Sequence, residues 1–143
     1  MRTYLVHWGR DQDRTVSTAE ELDSVLDQVE RQRGDAGAPF MVDIVDTGAD
    51  PELAIGLQIG VGHTERGFVF YTGQIAAECG YAIDRHLEPA VDEIGFDYGG
   101  QWTGYAPTKT RLTPTRVREL ARAYVETGER PRGVEWFDAS VNF

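Results

Sequence analysis

The alternation of hydrophobic and polar positions along the chain predicts a domain built mainly of short β-strands. Residues 3–8 are β-branched and aromatic, and residues 40–45 are similarly apolar, so both segments are predicted as strands. In residues 53–61 every second residue is a large aliphatic one, which is typical of a strand with one buried face. Residues 68–72 are predicted to pair with this strand as a hairpin. Further short strands are predicted at residues 95–98, 101–105 and 134–137.

Two other segments carry apolar residues at the spacing of an amphipathic helix. The first helix is predicted to begin at Ser17, which has capping-box spacing to Glu20, and to end at a left-handed Gly34. The second is predicted to follow an N-cap at Thr113 and to end at Gly128. The predicted buried stripes are Leu22, Val25, Leu26 and Val29 in the first helix, and Val117, Leu120, Ala121, Tyr124 and Val125 in the second.

The order of these elements indicates an α+β fold, mainly an antiparallel β-sheet with two principal helices packed on it. A length of 143 residues suits one domain, which we expect to span residues 1–143. Residues 9–14 are predicted as a polar turn. Residues 73–93 show no clear period, and no element is predicted there.

The chain is strongly acidic, and its charge is unevenly distributed. It has 24 Asp and Glu against 14 Lys and Arg, which gives a net charge of −10 at pH 7. Residues 43–97 hold eleven acids and two bases, whereas residues 109–132 hold seven bases and three acids. This balance argues against direct binding of nucleic acid, because phosphate recognition needs a basic surface. An acidic middle region can instead steer a basic protein partner towards it.

Several classes of site have no support in the sequence. The single cysteine, Cys79, excludes an intramolecular disulfide and a cysteine zinc cage. The three histidines have no metal-ligand spacing, and no phosphate loop or dinucleotide fingerprint is present, so we expect no metal and no cofactor. No segment resembles a secretory signal or a bilayer-spanning helix. We therefore expect a cytoplasmic protein with no membrane partner.

Aromatic residues close to acidic loops are the best candidates for a binding site. Tyr98 and Trp102 flank a Gly-Gly turn, and large rigid side chains beside charges are typical of protein interfaces. The alternative for each aromatic is core packing, and for each acid a solvated surface. The candidate contact residues are Asp46, Asp50, Glu52, Glu65, Asp92, Glu93, Asp97, Tyr98 and Trp102.

Two other classes of function stay open on the residues alone. A small hydrolase-type enzyme could use two carboxylates of the acidic loops, or Cys79 as nucleophile with His86 as base. An adaptor domain of the same fold could bind a partner of another kind. Turnover lost on replacing one such residue would identify the enzyme, and the nature of the partner would identify the adaptor.

The end of the chain resembles a known family. Residues 112–136, LTPTRVRELARAYVETGERPRGVEW, resemble the closing motif of the immunity-protein-one family of bacterial polymorphic toxin systems. In that family a helix opens after a proline, ends in a "tG-x-x-P" turn and precedes a strand that ends in "v-x-W". Residues 57–62 and 67–71 are similar to the family's central hairpin, and residues 39–42 to an earlier strand. The matching motif positions near the C-terminus are Pro114, Gly128, Pro131 and Trp136.

The resemblance implies a small cytoplasmic antitoxin that is not an enzyme. It implies a partner, the catalytic domain of a cognate toxin, often a nucleic-acid deaminase and otherwise a toxin such as a nuclease. Neutralisation would follow from tight binding that occludes the toxin's active site. The matched positions are turn glycines, helix ends and a packed tryptophan, so they do not identify the contact residues. The acidic net charge favours a monomer when the protein is free.

Overall fold

A computed structural model of the protein describes residues 2–138 and shows one large sheet with two helices on one face. The helices are Ala19–Glu30 (α1) and Pro114–Thr127 (α2). The strands are Tyr4–Trp8 (β1), Gln12–Val16 (β2), Phe40–Asp46 (β3), Gly56–Val61 (β4), Val69–Thr72 (β5), Gly80–Ile83 (β6), Ile94–Tyr98 (β7), Gln101–Tyr105 (β8) and Glu135–Asp138 (β9).

The nine strands of the described part of the chain form a sheet of mainly antiparallel neighbours. Seven of them lie side by side in the order β2-β1-β3-β4-β5-β6-β9. The β7–β8 hairpin leaves this plane and joins β3 through a short parallel contact, in which Asp97 is the partner of Phe40. The predicted α+β class, with two helices and an antiparallel sheet, is confirmed.

The main core lies between the sheet and the two helices. Every residue of the two predicted apolar stripes is buried. They pack against inward-facing residues of β1, β3 and β4, where Tyr4 meets Tyr124 edge to face with ring centroids 5.3 Å apart. Burying an aliphatic or aromatic side chain of this size contributes about 1.5–3 kcal/mol, so this layer is the main source of stability.

A second, smaller core lies on the opposite face of the sheet, under the β7–β8 hairpin. Met41, Phe68, Phe96 and Tyr105 form it, and the rings of Phe68 and Tyr105 stack with centroids 4.2 Å apart. We call this hairpin, residues 94–105, the strap. It crosses the sheet near the end at which β3 begins, which we call the upper end.

Some boundaries predicted from the sequence are wrong. The segment predicted as a turn at residues 9–14 contains the start of β2, whose polar residues suit an edge strand held mainly by backbone pairing to β1. Strand β6 lies in the stretch without a predicted element, because its four residues are too few to show a period. Strand β4 begins three residues later than predicted, after a turn in which Ala54 has a φ of 49°.

The helix ends show which local signals were reliable. The N-cap of α1 is Thr18, not Ser17, and its hydroxyl accepts the Glu21 N–H at 3.1 Å. The helix also ends before Gly34, which has an extended backbone and no role as a left-handed cap. The predictions for α2 are confirmed, with an N-cap at Thr113 and a left-handed Gly128. Neither helix in the described range is long and apolar enough to span a membrane.

Candidate binding surface

The strap covers only the upper half of the sheet face that lies opposite the helices. Its inner side chains Phe96 and Tyr105 pack on Phe68, and its turn at Gly100 approaches Arg10. The lower half of this face has no element packed on it among the described residues. We call this lower half the open face, which comprises Leu5, His7, Asp43, Val45, Gln58, Phe70 and Thr72, with Tyr98 of the strap above them.

Strand register places polar residues side by side on the open face. His7 of β1 pairs with Asp43 of β3, and Asp43 pairs with Gln58 of β4. Directly opposed residues of antiparallel strands project to the same side, so these three side chains form one row. Asp13 of β2 extends the row beyond His7, and Phe70 of β5 extends it beyond Gln58.

Asp43 is the acidic residue in the middle of this row. Its side chain is half-buried, and burial raises the pKa of the Asp43 carboxyl, while a hydrogen bond from Gln58 and the nearby His7 lower it. No Lys or Arg of the described residues forms an ion pair with it. A concavity of about 280 Å³ opens beside Asp43 and Gln58. The face therefore presents an acid without a cation, next to free space.

Exposed apolar side chains surround the row of His7, Asp43 and Gln58, which we call the polar floor of the open face. Tyr98 is 46% exposed, and its hydroxyl accepts a hydrogen bond from the Gln58 amide at 3.4 Å. Leu5 lies on the floor itself, and Leu53 and Ile75 are exposed in the two loops at the lower end of the sheet. Polar groups beside exposed aromatic and aliphatic side chains are the composition of a protein-binding surface.

Of the predicted contact residues, Asp50 and Glu52 lie in the loop after β3, at the lower end of the sheet. Asp46 is the last residue of β3 and pairs with Tyr4, whose ring packs on α2, so Asp46 projects to the helix side. Asp46 accepts the Gly48 N–H at 2.9 Å, and Asp50 accepts the Glu52 N–H at 3.0 Å, so both also stabilise the loop. Glu65 is exposed in the loop after β4, at the opposite end of that strand. Six strand residues span about 20 Å, so Glu65 is not part of this group.

Asp97 was expected to be an exposed acid near the Gly-Gly turn, and this expectation is wrong. It is 2% exposed, and its carboxylate accepts the N–H groups of Asp35 at 2.7 Å and Gly100 at 2.9 Å. Its side chain also lies directly against Gly34, where any Cβ atom would clash. The parallel contact between β7 and β3 places Asp97 under the turn at residues 35–37. Its role is structural, and its carboxylate is not available to a partner.

Tyr98 and Trp102 are both 46% exposed, but they project from opposite sides of the strap. Trp102 is paired with Asp97, and neighbouring strand residues alternate in direction, so Trp102 lies on the outer side. There its indole covers Gly95, and the Glu93 carboxylate covers Gly104. These two glycines are themselves cross-strand partners. The structure thus brings Glu93 and Trp102 together on the outer side of the strap, while Asp92 is exposed in the preceding loop.

The Cys79 and His86 alternative is not assembled as a dyad. Cys79 precedes β6, His86 follows it, and the strand's four residues separate them by about 13 Å. The Cys79 thiol interacts instead with its own loop, accepting the Gly73 N–H at 3.4 Å. Within residues 2–138, no group of three or more His, Cys, Asp and Glu side chains is arranged to hold a metal ion.

Asp43, His7 and Gln58 are not among the binding residues predicted from the sequence. One signal was present, since Asp43 interrupts the otherwise apolar run of residues 40–45 in β3. A carboxylate in such a run needs a reason, because burying it without a cation is costly. Asp43 becomes a neighbour of His7 and Gln58 only through the pairing of β1, β3 and β4, and no short stretch of sequence shows this pairing.

Comparison with protein families agrees with the motifs at the end of the chain. The family model described as Immunity protein Imm1 matches residues 10–138, nearly the whole described structure. A comparison with curated proteins found no significant match. The family match covers both helices and all strands except β1. The chain therefore belongs to the Imm1 family of immunity proteins.

Proposed function

We propose that this chain neutralises a cognate polymorphic toxin by binding its catalytic domain and occluding the active site. The toxin is a nucleic-acid deaminase or nuclease, and the chain acts by binding alone, as a monomer before it meets the toxin and in the cytoplasm. Family membership over residues 10–138 is the observation that carries this proposal, because it supports an immunity role.

The charge of the chain suits such a partner. Enzymes that act on nucleic acids hold the phosphate backbone with basic surfaces. Asp50, Glu52, Asp92 and Glu93 are exposed and form no ion pair among the described residues, so their charges are available to such a surface. Complementary charge of this kind raises the association rate and disfavours wrong partners.

The exposed aromatic residues suit an interface that is tight as well as fast. Tyr98 is held by a hydrogen bond from Gln58, and the indole of Trp102 lies against Gly95 of the strap. Ordered aromatic side chains lose little conformational entropy on binding and are the commonest anchors of protein interfaces. In this proposal the acids steer the toxin, and the aromatics supply much of the binding free energy.

A titration of toxin activity tests the proposal. The probe is the catalytic domain of the toxin encoded beside this chain, assayed on its nucleic-acid substrate with increasing amounts of the immunity protein. We expect inhibition to be complete at one immunity chain per toxin. Full toxin activity in the presence of excess immunity protein would overturn the proposal.

The same titration separates a binder from an enzyme. An enzyme that modified or degraded the toxin would act at amounts far below one chain per toxin. The double variant Cys79→Ala, His86→Ala is the matched control, and we expect it to inhibit as the unmodified chain does. Substoichiometric inhibition that this variant loses would favour the hydrolase alternative.

A further inference from the structure

We infer that the open face receives a protruding segment of the toxin's catalytic domain, and that Asp43 pairs there with an arginine or lysine of that segment. This inference rests on the proposed function and identifies the surface that performs it. It assigns a binding role to strands β1, β3 and β4, in addition to the loops that carry the exposed acids.

The surroundings of Asp43 favour a cation supplied by another molecule. Its carboxylate lies in the middle of a sheet, is half-buried, and has no cationic partner among the described residues. An acid in this position costs stability, and an apolar or hydroxyl side chain would suit the strand better. A cation from a partner would convert that cost into binding free energy, because charge pairs shielded from water are strong.

The space and the hydrogen-bonding groups beside Asp43 suit a cationic side chain. The concavity of about 280 Å³ has room for one long side chain. The amide nitrogen of Gln58 donates to the Tyr98 hydroxyl at 3.4 Å, which leaves its carbonyl oxygen as an acceptor. Two acceptors, Asp43 and Gln58, suit a guanidinium or ammonium group, which has several donors and no acceptor.

The apolar surface around Asp43 favours a protein segment as the carrier of the cation. Leu5, Leu53 and Tyr98 expose apolar surface around the polar floor, which a free cation would leave uncovered but a protein segment would bury. The acids Asp50 and Glu52 lie in the loop between β3 and β4, at the lower end of the sheet. A second copy of this chain is disfavoured, because two chains with a net charge of −10 repel each other.

The test measures binding of the adjacent-gene toxin domain to matched variants of the full chain. Asp43→Asn removes the charge and keeps the shape, and Glu126→Gln removes an exposed charge from the outer side of α2 as the control. We expect Asp43→Asn to weaken the affinity about tenfold or more, mainly through faster dissociation, and Glu126→Gln to leave it unchanged. Circular dichroism of each variant verifies that it is folded.

A second variant tests the open face independently, in case the asparagine of Asp43→Asn keeps enough hydrogen bonds for the toxin to bind. Leu5→Arg places a bulky cation on an already exposed position of the open face, and we expect it to abolish detectable binding. If the unmodified chain binds the toxin and both variants bind equally well, this inference fails while the proposed function stands. If the unmodified chain does not bind, the proposed function fails as well.

Sedimentation of the free chain tests whether a second copy of this chain occupies the open face instead of the toxin. We expect a monomer for the unmodified chain and for Leu5→Arg. A dimer that Leu5→Arg dissociates would assign the open face to self-association and overturn the inference.

Discussion

At the scale of single residues, two aspartates in strands have opposite roles. Asp97 accepts two backbone N–H groups and is fully enclosed, so its charge is used within the fold. Asp43 lies at the edge of a concavity without a cation, so its charge remains available to a partner. Because the sequence shows an aspartate in a strand in both cases, only the tertiary structure separates the two roles.

Replacing Asp97 tests its structural role. Asp97→Ala removes the acceptor of two N–H groups, and we expect the free energy of unfolding to fall by about 2 kcal/mol. Asp92→Ala is the matched control in an exposed loop and should change stability by less than about 0.5 kcal/mol. Urea unfolding of both variants provides the comparison. Equal stability of the two would contradict the assignment of Asp97 to the fold.

The pH dependence of stability tests the state of Asp43. Folding raises the pKa of this carboxyl, so its protonated form is favoured in the folded protein, and that contribution is lost as pH rises through the raised pKa. We therefore expect Asp43→Asn to be more stable than the unmodified chain at pH 7, with a difference that disappears below the ordinary aspartate value of 3.8.

Thermal unfolding of both proteins across this pH range measures that difference. The contributions of most other titrating groups cancel in this difference. A parallel series in a His7→Gln background removes the imidazole that is paired with Asp43 across the strands. A chain that is more stable than Asp43→Asn at pH 7 would show that the ionised carboxylate is satisfied within the free protein.

At the scale of elements, the two helices are joined by a cluster of ion pairs around Arg118. Its guanidinium lies 2.8 Å from Asp27 and 3.1 Å from Glu30, and Asp23 is 3.3 Å away, so one residue of α2 holds three acids of α1. The Arg118 side chain is 21% exposed, which limits screening by solvent.

Removing this arginine leaves three acids facing one another. We expect Arg118→Met to lower the free energy of unfolding by about 1–2 kcal/mol at low salt, and the loss to shrink in 1 M NaCl. Arg14→Met, on the exposed strand β2, is the control and should change stability by less than about 0.5 kcal/mol. A loss that does not respond to salt would mean that the stem of Arg118 matters more than its charge.

The elements also show what local sequence can predict. Helix α2 was predicted with its N-cap and C-cap residues, because Thr113, Pro114 and Gly128 act within a few residues of the chain. The strap was predicted as a hairpin from its Gly-Gly turn, and both glycines have a positive φ. Its position across the sheet depends on contacts of Phe96 with residues far away in sequence, which no local pattern contains.

At the scale of the whole molecule, the acidic charge is spread over several loops. The loop at residues 47–55 lies at the lower end of the open face, Glu65 lies at the opposite end of β4, and Asp92 and Glu93 lie beside the strap. We interpret this distribution as a field that steers a basic toxin from several directions, while the open face provides the contact.

Charge reversal beside the strap tests this steering. We expect Asp92→Lys, Glu93→Lys to slow association with the toxin domain roughly tenfold at low salt, and to make the rate less sensitive to salt. Glu20→Lys, Glu126→Lys applies the same change of charge on the helices as a control for net charge. Stopped-flow association rates at several salt concentrations give the comparison. An equal effect of both pairs of substitutions would show that Asp92 and Glu93 have no specific role in steering the toxin.

The central claim is that the toxin binds the sheet face opposite the helices. Hydrogen–deuterium exchange of the free chain and of its complex with the toxin domain tests it most directly. We predict slower exchange on binding in the loop at residues 47–55 and in the turn of the strap at residues 98–101, with unchanged exchange on the outer sides of α1 and α2. Protection confined to the helices would contradict the account and place the toxin on the other side of the molecule.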